Sequence, residues 1–182
     1  MVERASQHDW SSLREACFAT LTAMNEDLAI KYPHLNLRLA MVDAPAAKQL
    51  VKSFPPQDQA RLVDWDWAML FHKRVKRNKS AWMFTVSLAH AHGAVCYGTI
   101  SIENGCVSIE YLERKGDVAA LKGLAALLAI QYAEALAVYL ELSEVRVCDP
   151  DPALIDFYEQ NFGLTRQSEG NEVTYLTRKV QL

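Results

Sequence analysis

The sequence predicts an α/β fold: one mixed, mostly antiparallel sheet of about six to seven strands with helices on both faces. Three observations lead there. Alternating apolar and polar residues, or runs of aromatic and β-branched ones, recur between Leu35 and Lys179 and read as strands. Turn signals join most of these strands as hairpins. A long apolar stretch over 121–142 separates the fourth strand of the array from the fifth. It is long enough for a crossover, which implies that those two strands run parallel.

Each element has its own reason. Residues 9–31 form an amphipathic helix, with Leu13, Cys17, Leu21, Met24 and Leu28 on one face and Asp9 or Ser11 as cap. Tyr32-Pro33 ends it. Leu35, Leu37, Leu39 and Met41 alternate with polar or small residues, which makes a half-buried strand. A short helix over 44–54 starts at Pro45, and Pro55-Pro56 breaks the chain. A second helix over 57–77 directs Leu62, Trp65, Met69 and Phe71 or His72 inward. Residues 81–88 are a strand, and a turn around His92-Gly93 leads into another over 95–103.

Asn104-Gly105 is a preferred type I′ pair, followed by a strand over 106–112. A two-residue turn there pairs Glu103 with Cys106, Ser101 with Ser108 and Thr99 with Glu110. One face then carries Ile100, Ile102, Val107, Ile109 and Tyr111; the other carries Tyr97, Thr99, Ser101, Ser108 and Glu110. Cys96 falls opposite Glu113, so no Cys96–Cys106 disulfide is expected. A long helix covers 118–141, a strand 144–148, a turn 149–152 and a helix 153–161 that closes near Gly163. A hairpin over 164–167 and 173–179 ends the chain.

Composition sets limits. The chain has 182 residues, 51% of them hydrophobic and 23% charged, so it reads as one globular domain over 1–182. Residues 1–33 are a helical extension of a core over 34–182. A net charge of -3 argues against a general nucleic-acid binder. Lys122, Gln131, Glu134 and Glu141 interrupt the apolar stretch, which makes it a buried helix rather than a membrane span. The start, Met1-Val2-Glu3-Arg4, leads into polar residues rather than a signal core. Cys17, Cys96, Cys106 and Cys148 include no CxxC pair, so free thiols in a cytoplasmic protein are expected. His90 and His92 belong to an exposed turn, and no metal site is expected. Lys73, Arg74, Lys76, Arg77 and Lys79 form a basic run at a helix end, solvated or facing an acidic partner or RNA.

Two segments carry a family resemblance. Lys122-Gly123-Leu124-Ala125, leading into a leucine-rich helix, resembles the pyrophosphate loop of the GNAT superfamily of acyl-CoA N-acyltransferases. Residues 153–164, with Phe157, Tyr158, Phe162 and Gly163, are similar to that family's helix-to-strand segment. The resemblance covers about 35–180. Two departures stand out: Ala120 occupies the loop's Arg/Gln position, and Tyr158 lies five residues before Gly163 where four is usual. A second register, with Gly116 in the loop and Asp117 capping the helix, competes. The distance to the next strand favours Gly123, whose other reading is a glycine inside a helix.

The resemblance implies acyl transfer from acetyl-CoA, or another acyl-CoA, to an amine. Lys122, Gly123, Leu124 and Ala125 would receive the pyrophosphate at a helix head. The family's fourth and fifth strands splay to admit the pantetheine, which puts Tyr111 and Leu112 beside it. Tyr158 would protonate the leaving thiolate. Glu110, or as second choice Glu113, would take the proton from the amine. The acceptor would be a small molecule or a protein amine, without membrane or nucleic acid; a homodimer through an edge strand or the closing hairpin would fit. The other reading is a GNAT-like binding module with weakened or no catalysis.

Overall fold

The computed structural model describes residues 10–59, 61, 63, 65–169 and 172–181. The first apolar repeat folds as α1 (Trp10–Lys31), which buries Leu13, Ala16, Cys17, Leu21 and Leu28. The alternation that follows becomes β1 (Leu37–Met41), an edge of the sheet. An edge strand has unpaired backbone groups. Here the Asn25 side chain of α1 covers two of them, donating to Leu39 O and accepting from Leu39 N, each at 2.8 Å.

Seven strands make one sheet: β1, β2 (Ala81–Leu88), β3 (Ala91–Ser101), β4 (Cys106–Arg114), β5 (Glu144–Cys148), β6 (Thr165–Glu169) and β7 (Glu172–Lys179). Their spatial order is β1-β2-β3-β4-β5-β7-β6, antiparallel except for the parallel β4–β5 pair. The crossover between those two is α4 (Leu124–Tyr139). Side chains of β2 alternate between two cores. Trp82, Phe84 and Val86 join α1 and α4 on one face. Met83 joins α2 (Ala44–Ser53) and α3 (Trp67–Leu70) on the other.

The expected hairpins form with other turns. The first turn is Ala89-His90 rather than His92-Gly93; both residues take positive φ, 45° and 75°. Gly93 lies inside β3, where a Cβ would meet Leu121 Cδ1 at 2.6 Å, so this glycine serves packing. At the second hairpin only Gly105 of the Asn104-Gly105 pair has positive φ, whereas type I′ needs two such residues. A four-residue turn results, closed from Gly105 N to Ile102 O at 3.1 Å, and it pairs Ser101 with Cys106 instead of Ser108. A slip of two residues keeps each side chain on its expected face.

A bulge then changes the faces. Gly98 pairs with Ile109 and Tyr97 with Tyr111, which leaves Glu110 unopposed. An extra residue turns the strand. Tyr111 therefore joins the face of Tyr97 rather than that of Ile109, and Cys96 faces Leu112 rather than Glu113. All four cysteines are free. Gly98 lies under this bulge, where a Cβ would sit 2.1 Å from Ser108 O and from the Trp82 ring.

The expected 57–77 helix is much shorter. After Pro55-Pro56 the described residues run irregularly until Asp66, whose side chain accepts from Met69 N at 2.8 Å and caps α3. A single π turn, Phe71–Val75, follows. Trp67 and Phe71 are buried, Trp65 is half-buried, and Met69 and His72 point outward; Leu62 lies outside the described residues. The chain closes with a 3-10 turn (Pro152–Leu154), α5 (Ile155–Phe162), Gly163 at φ 62° and the β6–β7 hairpin, whose Gly170-Asn171 tip also lies outside the described residues.

The start of β5 holds an ion cluster. The buried Glu144 carboxylate accepts from Arg146 Nε at 2.5 Å and Lys179 Nζ at 2.7 Å. Burial alone would raise its pKa, but the hydrogen bonds from Lys179, Arg146 and Thr177 outweigh it and hold the value at about 2. A depressed carboxylate pKa stabilises the fold above the unfolded value, and that stability is lost as pH falls through the folded one. Glu144→Gln is expected to cost about 2 kcal/mol at pH 7, allowing for solvent screening at exposed Lys179. Urea titrations should show the deficit shrinking below about pH 4 and gone near the folded pKa of about 2.

Candidate functional site

The site is built where β4 leaves β5. Pairing runs from Cys106↔Glu144 to Ile109↔Val147 and stops, although β4 continues to Arg114. Glu110–Arg114 thus lack a strand on the β5 side, and the parting begins at the bulged residue. A carboxylate and two backbone segments come together at its mouth. Thr99 pairs with Ser108 rather than with Glu110 as expected, but Glu110 Oε1 accepts from Thr99 Oγ1 at 3.0 Å on the diagonal across the bulge. Glu110 is half-buried and open to a proton donor. The Cys148 thiol of β5 lies close by; burial, and next the charge of Glu110, push its pKa up to about 12. A thiol so held is no nucleophile at neutral pH.

Glu113 is bound on every side. Arg61 Nε donates to Oε1 at 2.6 Å, Arg61 Nη2 to Oε2 at 2.9 Å, and Trp67 Nε1 to Oε2 at 2.5 Å. Both side chains are almost solvent-free, 3% exposed for Arg61 and 0% for Glu113. Both Glu113 oxygens are occupied and enclosed, in keeping with its place as second choice after the half-buried Glu110. The position of Glu113 explains the irregular chain before α3. Arg61 also donates to Phe54 O at 2.9 Å and Trp65 O at 2.7 Å, tying that segment to β4.

The face beyond Glu110 is aromatic. Tyr97 and Tyr111 stack at 5.7 Å, Trp65 meets Tyr111 edge-on at 4.8 Å, and the Arg74 guanidinium lies 5.9 Å from the Tyr111 centroid. Burial raises the pKa of the Tyr97 phenol, while Arg74 draws it down and Glu110 pushes it up. The side chain of Tyr111 thus faces away from the parting, and its backbone lines it. Leu112 is half-buried against the α1–α4 core.

Gly123 stands at the head of α4, not inside it. Its φ is 74°, and a Cβ there would meet nothing within 4 Å. Lys122 and Gly123 are exposed, Leu124 is half-buried and Ala125 is buried. The expected start at 118 fails because 119–121 wind as a 3-10 turn and the chain breaks at Lys122. Asp117 caps no helix, and Ala120 is exposed on that turn. Arg114 shapes the approach by donating to Lys115 O at 2.6 Å and to Gly116 O and Val118 O, each at 3.3 Å. The first amides of α4 have no acceptor within the helix.

Tyr158, on α5, is buried against Phe157 and Phe162. Burial, with the nearby Cys96 and Asp151, moves its phenol up to about 12, so the hydroxyl keeps its proton at neutral pH. A cavity of about 590 Å³ lies elsewhere, between α1, β1 and the π turn; none of the candidate residues lines it.

No family model and no curated protein matches the sequence. Solved structures do match. The acetyltransferase of the GNAT family from Staphylococcus aureus Mu50 superposes with a TM-score of 0.57 at 8% identity, over 80% of this chain and 99% of that one. The chain has the GNAT fold. The ribosomal-protein-S18-alanine N-acetyltransferase of Escherichia coli gives 0.58 at 8% identity, over 80% and 95% of the two chains. The Campylobacter jejuni N-acetyltransferase PseH, in complex with acetyl coenzyme A, gives 0.53 at 17%, over 79% and 98%. The parted β4 and β5 are the feature that the GNAT resemblance led us to expect. Arg61 and Arg114 are two residues beside the candidate site that the sequence reading did not single out. No local pattern marks Arg61, because its partner is 52 positions away. Arg114 was legible only as part of the Gly116 register.

Proposed function

We propose that the chain is an acyl-CoA-dependent N-acyltransferase that moves an acetyl group from acetyl-CoA to an amine in a ternary complex. The observation that carries this reading is the parting of β4 from β5 after Ile109/Val147 in a chain whose crossover helix opens on an exposed, positive-φ glycine. The fold's likeness to a structure holding acetyl coenzyme A supports it.

Each group then has a task. The amides at Gly123, Leu124 and Ala125 and the α4 dipole bind the pyrophosphate, with Lys122 as an added point charge. The backbone of Tyr111 and Leu112, free on the β5 side, pairs with the pantetheine. The same amides meet the oxyanion as the carbonyl becomes tetrahedral. Glu110 takes the proton from the ammonium, directly or through water. The amine nitrogen bonds to the carbonyl carbon, and the carbon–sulfur bond breaks. Tyr158 donates its proton to the departing thiolate and regains one from the nitrogen that becomes the amide, directly or through water, so that the products are the amide and free coenzyme A thiol.

Acetyl-CoA should raise the melting temperature, and free thiol should appear when an amine is added. Glu110→Gln and Tyr158→Phe should each slow turnover by about a hundredfold and leave the acetyl-CoA shift in place. Equal rates would remove that residue from the chemistry. A protein that shows no shift with millimolar acyl-CoA would instead be a binding module, a reading that Ala120 in the loop's Arg/Gln position favours.

A further inference from the structure

We infer that the acceptor is a small amine that also carries a carboxylate, held by Arg74 while its nitrogen faces Glu110. This rests on the acyl-transfer reading above and names the substrate class of the same site.

The argument starts with a charge in an unusual setting. Arg74 belongs to the π turn, and among the described residues it forms no salt bridge. Inserted π turns often occur at functional sites because they redirect a side chain. Here the guanidinium comes to rest over Tyr111. Tyr111 in turn stacks on Tyr97, and the bulge sets Glu110 on the same face. The buried Tyr97 phenol feels both charges, Arg74 drawing its pKa down and Glu110 pushing it up. The face therefore offers a positive group, an aromatic floor and a negative group within a small span.

That order selects among amines. A purely cationic acceptor would seek an aromatic face, but Arg74 already lies over Tyr111. A doubly charged phosphate would meet Glu110 at close range. A carboxylate suits one planar guanidinium and leaves the ammonium for Glu110. The wall is firm, because Arg61 holds the Trp65 carbonyl and is itself locked to Glu113.

The test compares L-methionine, β-alanine and 4-aminobutyrate with their own carboxamides, by thiol release from acetyl-CoA. At least one amino acid should exceed its amide more than tenfold in kcat/KM. Arg74→Gln should bring that ratio near one, and Arg74→Lys should restore part of it. Equal use of acid and amide, or a ratio that Arg74→Gln leaves unchanged, overturns the inference while acyl transfer stands. Calorimetry with the same pairs and no thioester separates the two claims. If acetyl-CoA does not bind but an amino acid binds more tightly than its amide through Arg74, acyl transfer falls and the carboxylate site stands. No preference in that binding overturns the site.

Discussion

An Arg61→Met variant will lose about 3–5 kcal/mol of unfolding free energy, measured by urea denaturation. The physics is that of an abandoned charge. Glu113 is fully enclosed, and two of its three hydrogen bonds come from Arg61. Removing the guanidinium leaves a carboxylate in a dry site with Trp67 alone for company. It also frees the Phe54 and Trp65 carbonyls that Arg61 holds. Glu113→Gln alone keeps the shape and removes the charge that Arg61 faces across the pair. The double variant should lose less than the two single losses added, by about 2 kcal/mol, because neither charge is then stranded. Strict additivity would mean that the pair is not coupled. The consequence reaches the proposed acceptor face, since Trp65 is positioned through the same guanidinium.

The contrast between Arg61 and Gly123 shows what a sequence displays. Strands β2 and β5 and the head-to-core pattern of α1 were legible because one run of residues determines each. The parallel β4–β5 pair followed from the length of the apolar crossover. The 57–77 helix was misread because Trp65, Met69 and the basic run imitate helical spacing. What overrides that spacing is a buried ion pair to Glu113, which no local window contains. The β4 bulge was invisible for a similar reason. It lies where only a glycine at position 98 leaves room for the Ser108 carbonyl and the Trp82 ring, a matter between three strands. The same bulge reassigned Tyr111 to the Tyr97 face. The Ala89-His90 turn carries neither glycine nor asparagine and so gave no signal. Tyr158 and Gly123 came from motif resemblance, whereas the place of Cys96 near Tyr158 came only from the fold.

The Gly123→Glu variant should abolish the acetyl-CoA thermal shift. In the unaltered protein, ligand at about 100 times its dissociation constant adds about 2.7 kcal/mol to stability. A carboxylate at the head of α4 would stand where the pyrophosphate must approach, opposing it by like charge and by bulk. Space is not the obstacle in the free protein, since a Cβ at Gly123 meets nothing within 4 Å. The positive φ of 74° is the complication, because any side chain there strains the backbone. Gly123→Gln carries nearly the same strain and volume without the charge, so the difference between the two variants isolates electrostatics. The Gln variant should bind more weakly than the unaltered protein and the Glu variant not at all. Raising the salt concentration should narrow the gap, as screening shortens the reach of an exposed charge. Equal coenzyme binding by all three proteins would move the pyrophosphate away from α4 and take the acyl-transfer reading with it.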